Sequence, residues 1–218
     1  MALNKLKYNS LNVTPVANKA ISFDSDPDAL EATLSGGAMT FIKKLTASSD
    51  STLSFVNGSS DVVLDNTYKE YIFIFKDIHG SQDNAFFQVG FRDGGSDYDA
   101  VKTSSFFKTQ HTEDDVYASV DYHTASDLAQ STSFQYLSTN SGNDNDQCVA
   151  GYLHLFNPSS TTFVKHFIAQ TNLYHFEDGS MQNFIGGYCN TTTAIDGAQF
   201  KFSGGTIDAG TITLYGIN

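Results

Sequence analysis

The sequence predicts an all-β protein, an antiparallel β-sandwich of jelly-roll type with an extended N-terminal arm. Three observations predict it. Aromatic residues are plentiful, with 18 Phe and 11 Tyr but no Trp, while Pro is limited to 3; Phe, Tyr and Thr suit a pleated, half-buried surface. Short runs of alternating apolar and polar residues recur from Ala38 onward, which is the period of a strand. Clusters of Gly, Asn, Asp and Ser separate those runs and supply turns. The chain has 218 residues, enough for one large all-β domain with an appendage. A chain of this size buries roughly 70% of its unfolded surface and needs no staples to fold.

Residues 1–37 read differently from the rest and are assigned as an anchoring arm. They hold one short alternating run, two of the prolines and a closing Gly36-Gly37. Only "DPDALEATL" has a helical signature, with Asp26 as N-cap and Pro27 at the first position. Such a helix has about two turns and is marginal alone. A segment this polar needs something to hold it, and a neighbouring chain is the expected holder.

Residues 38–218 are assigned to the sandwich. "MTFIKKLTA" alternates, and "STLSFVNG" alternates and ends on Asn57-Gly58, a turn signal. "KEYIFIFKDIHG" is the strongest segment, with Tyr71, Phe73 and Phe75 on one face and Ile72 and Ile74 on the other. Apolar residues on both faces mark a central strand covered on both sides, or covered on one side by a subunit contact. "NAFFQVGFRDGG", "DVYASVDYHT", "STSFQYLST", "QCVAGYLHLFNPS", "TTFVKHFIAQT", "MQNFIGGYCNT" and "GAQFKFSGG" continue the series. The last strand lies in "SGGTIDAGTITLYGIN", where Gly204, Gly205 and Gly210 supply a turn and a bulge. This spacing of short strands and turn clusters is that of a sandwich or jelly roll.

Charge and composition exclude several function classes. The formal net charge is -12, which speaks against nucleic acid, because phosphate backbones demand Lys and Arg. No run of about 18 apolar residues is present, so no membrane insertion is expected. "MALNKLKYNS" lacks the apolar core of a secretory signal, so synthesis in a cytoplasm is expected. Two cysteines, Cys148 and Cys189, do not make a disulfide framework, and a reducing compartment leaves thiols free.

His79, His111, His123, His154, His166 and His175 form no H-E-x-x-H and flank no G-x-S-x-G elbow; His154 and His166 read as face-lining residues of strands. Glycoside hydrolysis needs two placed carboxylates, and no pair stands out among 24 acidic residues. Asp93, Asp97 and Asp99, and separately Asp144 and Asp146, make oxygen-rich loops of a kind that suits calcium. Neither matches an EF-hand, and solvated turns account for both. Tyr98 and Tyr136 lie beside Asn and Asp in a mixture that suits a carbohydrate platform and also suits ordinary sandwich loops. No catalytic, cofactor or metal residue is assigned.

Three stretches carry a resemblance. They are a Tyr-x-x-Tyr at Tyr68 and Tyr71, a "G-x-L-x-L-x-N-P" at residues 151–158, and a closing "G-T-I-x-L-Y-G" at residues 210–216. Together they resemble a β-sandwich domain recurrent in virion proteins of tailed bacteriophages, across about residues 41–218. "ALNKLKYNSL" is similar to the short N-termini by which phage fibre-type proteins dock. The resemblance implies a non-enzymatic structural protein located in the virion and assembled in the bacterial host cytoplasm. It implies a tail- or fibre-type appendage, with a capsid decoration protein as the close alternative. The implied partners are other virion structural proteins, further copies of the chain in a trimer, and a host surface glycan. A carbohydrate-binding module is the rival class. The family brings no catalytic residues and no cofactor.

Overall fold

The computed structural model describes residues 20–23, 30–33 and 38–217. The chain divides into two units, Met1–Ala38 and Met39–Asn218. The first contributes two described strands, β1 (Ala20–Phe23) and β2 (Leu30–Thr33), paired antiparallel with Ala20 opposite Thr33 and Phe23 opposite Leu30. This corrects the helical reading of "DPDALEATL". Leu30, Glu31 and Ala32 are good helix formers, but propensity is a weak prior that pairing overrides. Asp26 and Pro27, and the remainder of the expected arm, lie outside the described residues.

The second unit is all strand and turn among the described residues. Its strands are β3 (Met39–Thr46), β4 (Leu53–Val56), β5 (Glu70–Gly80), β6 (Phe87–Arg92), β7 (Lys102–Thr112), β8 (Ala118–Tyr122) and β9 (Leu128–Ser131). They continue as β10 (Gln135–Tyr136), β11 (Val149–Phe156), β12 (Lys165–His175), β13 (Gly179–Cys189), β14 (Gly197–Phe202) and β15 (Ile207–Ile217). Two antiparallel sheets pack against each other, so the predicted sandwich is the observed architecture. The larger sheet has nine strands in the order β3-β15-β5-β11-β12-β13-β7-β8, with β9 also on β7. The smaller runs β10-β6-β14-β4.

The core between them is aromatic. Alternation sends Tyr71, Phe73 and Phe75 of β5 inward, and all three are buried. Phe73 meets Phe55 of β4 at 5.3 Å, and Phe75 meets Phe87 of β6 at 5.2 Å, both edge to face. Phe200 of β14 lies among all four rings. Edge-to-face geometry adds about 0.5–1.5 kcal/mol per pair beyond area burial.

Two strands were not anticipated, β7 and β9. β7 reads "KTSSFFKTQHT", with no apolar alternation, yet it is paired along its length with β13. Its inward positions are Lys102, Ser104 and Phe106, and the polar ones find buried partners. Lys102 Nζ donates to the Ala100 carbonyl at 2.6 Å, and Ser104 Oγ bonds Gln135 Oε1. Lys165 of β12 is likewise buried and donates to the Thr191 carbonyl at 2.9 Å. Cys189 lies between these lysines, opposite both in register. Burial lowers both lysine pKa values and pushes the Cys189 thiol up to about 12. Both thiols are free.

Candidate interaction surface

The three motif stretches meet in space. The "G-x-L-x-L-x-N-P" run is β11 and continues past its end. The closing run is in β15, and Tyr71 is in β5, which pairs with both. Tyr71 sits opposite Leu155 on one side and Gly216 on the other. Its hydroxyl donates to the Asp65 carbonyl at 3.0 Å and accepts from the Asp65 N–H at 3.1 Å. The Tyr68 ring packs over Gly216, where a Cβ would stand 2.3 Å from the ring. Gly151, with φ +152, lets β12 approach: a Cβ there would meet the Gln170 carbonyl oxygen at 2.2 Å. The motifs thus specify three adjacent central strands.

The opposite faces of these strands build the surface. Register places one row along Phe41, Tyr215, Ile72, His154, Ile168 and Gly186. A second row, two residues along, runs Thr213, Ile74, Tyr152, Gln170, Phe184, Phe107 and Tyr122. Both rows lie on the outer face of the nine-stranded sheet, because the alternate residues Phe73, Leu153, Ala169 and Ile185 fill the core. Strand residues that leave large apolar side chains exposed are Met39, Phe41, Phe107, Val120, Tyr122 and Ile168, from 44% at Phe107 to 75% at Val120. Every one belongs to this face. Scattered exposed apolar residues are ordinary, whereas a contiguous patch marks an interaction site.

The surface is organised, and two carboxylates reach its rows, Glu70 at His154 and Asp127, which accepts from the Tyr122 hydroxyl at 2.7 Å. Phe107 and Phe184 stack at 4.7 Å, 8° from parallel. Phe41 stands edge-on to Tyr215 at 6.0 Å, and Phe156 lies 4.1 Å from the His154 ring. The Tyr152 hydroxyl donates to Gln170 Oε1 at 3.3 Å. His154 Nε2 comes within 3.0 Å of Glu70 Oε2 but is not aligned for a hydrogen bond. Lys44, opposite Thr213 at the sheet edge, is the one lysine in register with these rows.

The other residues weighed from the sequence lie elsewhere. Asp97, Asp99, Asp144 and Asp146 are exposed in turns, and Asp93 is half-buried. Among the described residues no group of three His, Cys, Asp or Glu side chains stands close enough to hold a metal. Tyr136 is half-buried and packs against Phe86 at 5.0 Å, in an edge-to-face pair. A cleft of about 390 Å³ gathers Asp77, His79, Asp146 and Cys148. His79 Nε2 there lies 3.2 Å from the Asp144 carbonyl oxygen, and burial, with Asp77 and Asp146 nearby, raises the Cys148 pKa. That is the opposite of an activated nucleophile.

His175 gives a pH prediction. It is buried, and its Nδ1 accepts a hydrogen bond from the Glu177 N–H at 3.1 Å. Burial is the main cause that lowers its pKa, and the same holds for His123. Below the ordinary histidine pKa of about 6.5, the unfolded chain therefore binds protons that the folded chain does not. Stability falls as pH drops through that value and the full penalty is reached below the folded pKa. The urea midpoint is expected to be lower near about pH 5 than near about pH 7, and His175→Gln to flatten part of that slope. An unchanged midpoint contradicts the buried neutral imidazole.

Compared with protein-family models, curated proteins and solved structures, the chain matches none. Sequence reasoning put Ile72 and Ile74 on the second apolar face of a strand to be covered on both sides or on one side by a subunit contact, without saying which face points outward. It missed Phe41, Ile168, Phe107 and Phe184 as parts of the same surface. Register brings them together from four further strands, and no local pattern in any one strand reports that.

Proposed function

We propose that this chain is a non-enzymatic structural protein of a tailed-bacteriophage virion, an appendage of the tail or fibre type. In this reading the N-terminal segment docks it to other virion proteins and copies of the chain associate, as a trimer by the habit of the family it resembles. The observation that carries the reading is the apolar outer face of the nine-stranded sheet, a surface suited to assembly. The virion context comes from the three motifs on β5, β11 and β15. The net charge of -12 keeps such a protein soluble before assembly.

The test is quantitative mass spectrometry of purified particles from the phage that encodes the chain. The reading predicts the chain among the particle proteins, in tens of copies at a tail site, and its loss from particles when residues 1–37 are deleted. Hundreds of copies would instead identify a capsid decoration protein. Absence from the particle would overturn both.

A further inference from the structure

We propose that the cleft between the β7–β8 turn and the β12–β13 turn is a binding site for a neutral saccharide. The cleft lies on the inner side of the nine-stranded sheet, and the inference stands independently of the virion assignment.

The cleft forms where the inner face of the large sheet is incompletely covered. Residues 137–141 lie over β12 and β13: Thr171 Oγ1 donates to the Leu137 carbonyl at 2.5 Å, and Thr139 Oγ1 to Met181 Sδ at 3.1 Å. On β7 the inward Gln110 and Thr112 remain half-buried. The space there is about 460 Å³, bounded by Gln110, Tyr117, Asn140, His175, Phe176 and Glu177. Ligand pockets run from about 300 to 1,000 Å³. The walls are tied by their own backbone. The Thr112 N–H donates to the Tyr117 carbonyl at 3.0 Å, and the Phe176 N–H to the Asn140 carbonyl at 3.2 Å.

The lining has hydrogen-bonding capacity to spare. His175, only 4% exposed, uses Nδ1 to accept from the Glu177 N–H, which leaves Nε2. Asn140 donates Nδ2 to Asn84 Oδ1 at 2.7 Å, which leaves its own Oδ1. Two buried atoms on the same inner face have no partner among the described residues: Ser119 Oγ, opposite Gln110, and Asn183 Oδ1, opposite Lys108 one row along. Buried polar atoms are normally bonded, so this concentration of unmet groups points to a ligand rich in hydroxyls. An apolar ligand would leave them unpaired at a cost.

Charge and ring placement narrow the class. The cleft has one carboxylate, Glu177, and is lined by no Lys or Arg. The inward Lys108 has Asp121 opposite it. A phosphate or an acidic sugar therefore finds no dedicated cation, in a chain of net charge -12. Two aromatic rings come from different walls: Tyr117, 48% exposed, and Phe176, held 4.7 Å from the His175 ring. A sugar ring presents an apolar C–H face beside its hydroxyls, which matches aromatic surface with convergent polar groups. A peptide adding as a strand needs a free backbone edge, and these walls use theirs on each other. Tyr98 and Tyr136, the tyrosines that the sequence offered to a sugar, do not line this cleft.

The test is an array of neutral oligosaccharides of glucose, galactose, rhamnose and N-acetylglucosamine, with uronic-acid oligosaccharides beside them. The strongest neutral binder is then titrated into the full-length protein by two-dimensional NMR. Binding is expected with shifts of the Gln110 and Asn140 side-chain amide signals. Tyr117→Ala and Gln110→Ala are each expected to weaken binding at least about tenfold. Tyr117 is exposed, so its variant should keep the wild-type far-UV circular dichroism. Tyr98→Ala should leave the affinity unchanged. An array with no neutral binder, or with acidic binders alone, overturns the inference. So does binding that survives Tyr117→Ala in folded protein, or that Tyr98→Ala removes equally. A chain found in the particle without saccharide binding sinks this inference and leaves the virion assignment standing; a saccharide binder absent from the particle does the reverse.

Discussion

A chain lacking residues 206–218 will not yield a soluble, cooperatively folded protein. Strand β15 lies between β3 and β5 and is bonded to both. It also contributes Ile207, Ile212 and Leu214 to the core, each with 0% exposure. Losing three buried side chains of this kind removes roughly 1.5–3 kcal/mol apiece. That sum is comparable to the whole stability of a typical domain, about 5–15 kcal/mol. The deletion also separates β3 from the sheet and turns β5 into an edge eleven residues long. A long apolar edge is a template for aggregation. Expression in soluble and insoluble fractions, followed by a thermal melt of any soluble protein, measures the outcome. Soluble protein with a sharp melt would show that the sheet does not depend on β15.

Phe200→Ala is expected to be the most damaging single substitution in the core. The ring is fully buried on β14, with Phe73 at 5.3 Å, Phe75 at 5.4 Å, Phe87 at 5.9 Å and Phe55 at 6.2 Å. Those neighbours come from both sheets, so the side chain joins the two layers. Four rigid rings cannot collapse into the space it leaves, which puts the cost at the upper part of the Phe-to-Ala range, about 3–5 kcal/mol. At roughly 2–4 °C per kcal/mol for a unit of this size, the melting temperature should fall by about 6–20 °C. Phe200→Leu should cost less, because most of the volume is retained. Scanning calorimetry of the two variants measures the difference. Equal melting temperatures for Phe200→Ala and wild type would contradict the aromatic core as described.

The sandwich was legible wherever a strand carried the alternation of its own burial. β5 announced itself through Tyr71, Phe73 and Phe75 against Ile72 and Ile74, and β15 through Ile212 and Leu214 alternating with Thr211 and Thr213. β7 was hidden because its inward positions include a lysine and a serine. Their buried partners, the Ala100 carbonyl and Gln135, are set by tertiary structure. β2 was misread because the helix propensity of Leu, Glu and Ala is local, while its pairing with β1 is not. The interaction surface was legible only in part. Ile72 and Ile74 showed that one strand needed cover, but the face is the product of register among eight strands. Phe41, Ile168 and Phe107 are distant in sequence and share no pattern.

The central proposal is that this chain works as an assembled component, with the apolar outer sheet face covered in the assembly. A cryo-electron microscopy map of the particle, at a resolution that separates strands, tests it most directly. The account predicts density of a neighbouring molecule against Ile168 and Phe107, and residues 1–37 in contact with the particle. Well-ordered single copies with that face open to solvent would contradict it.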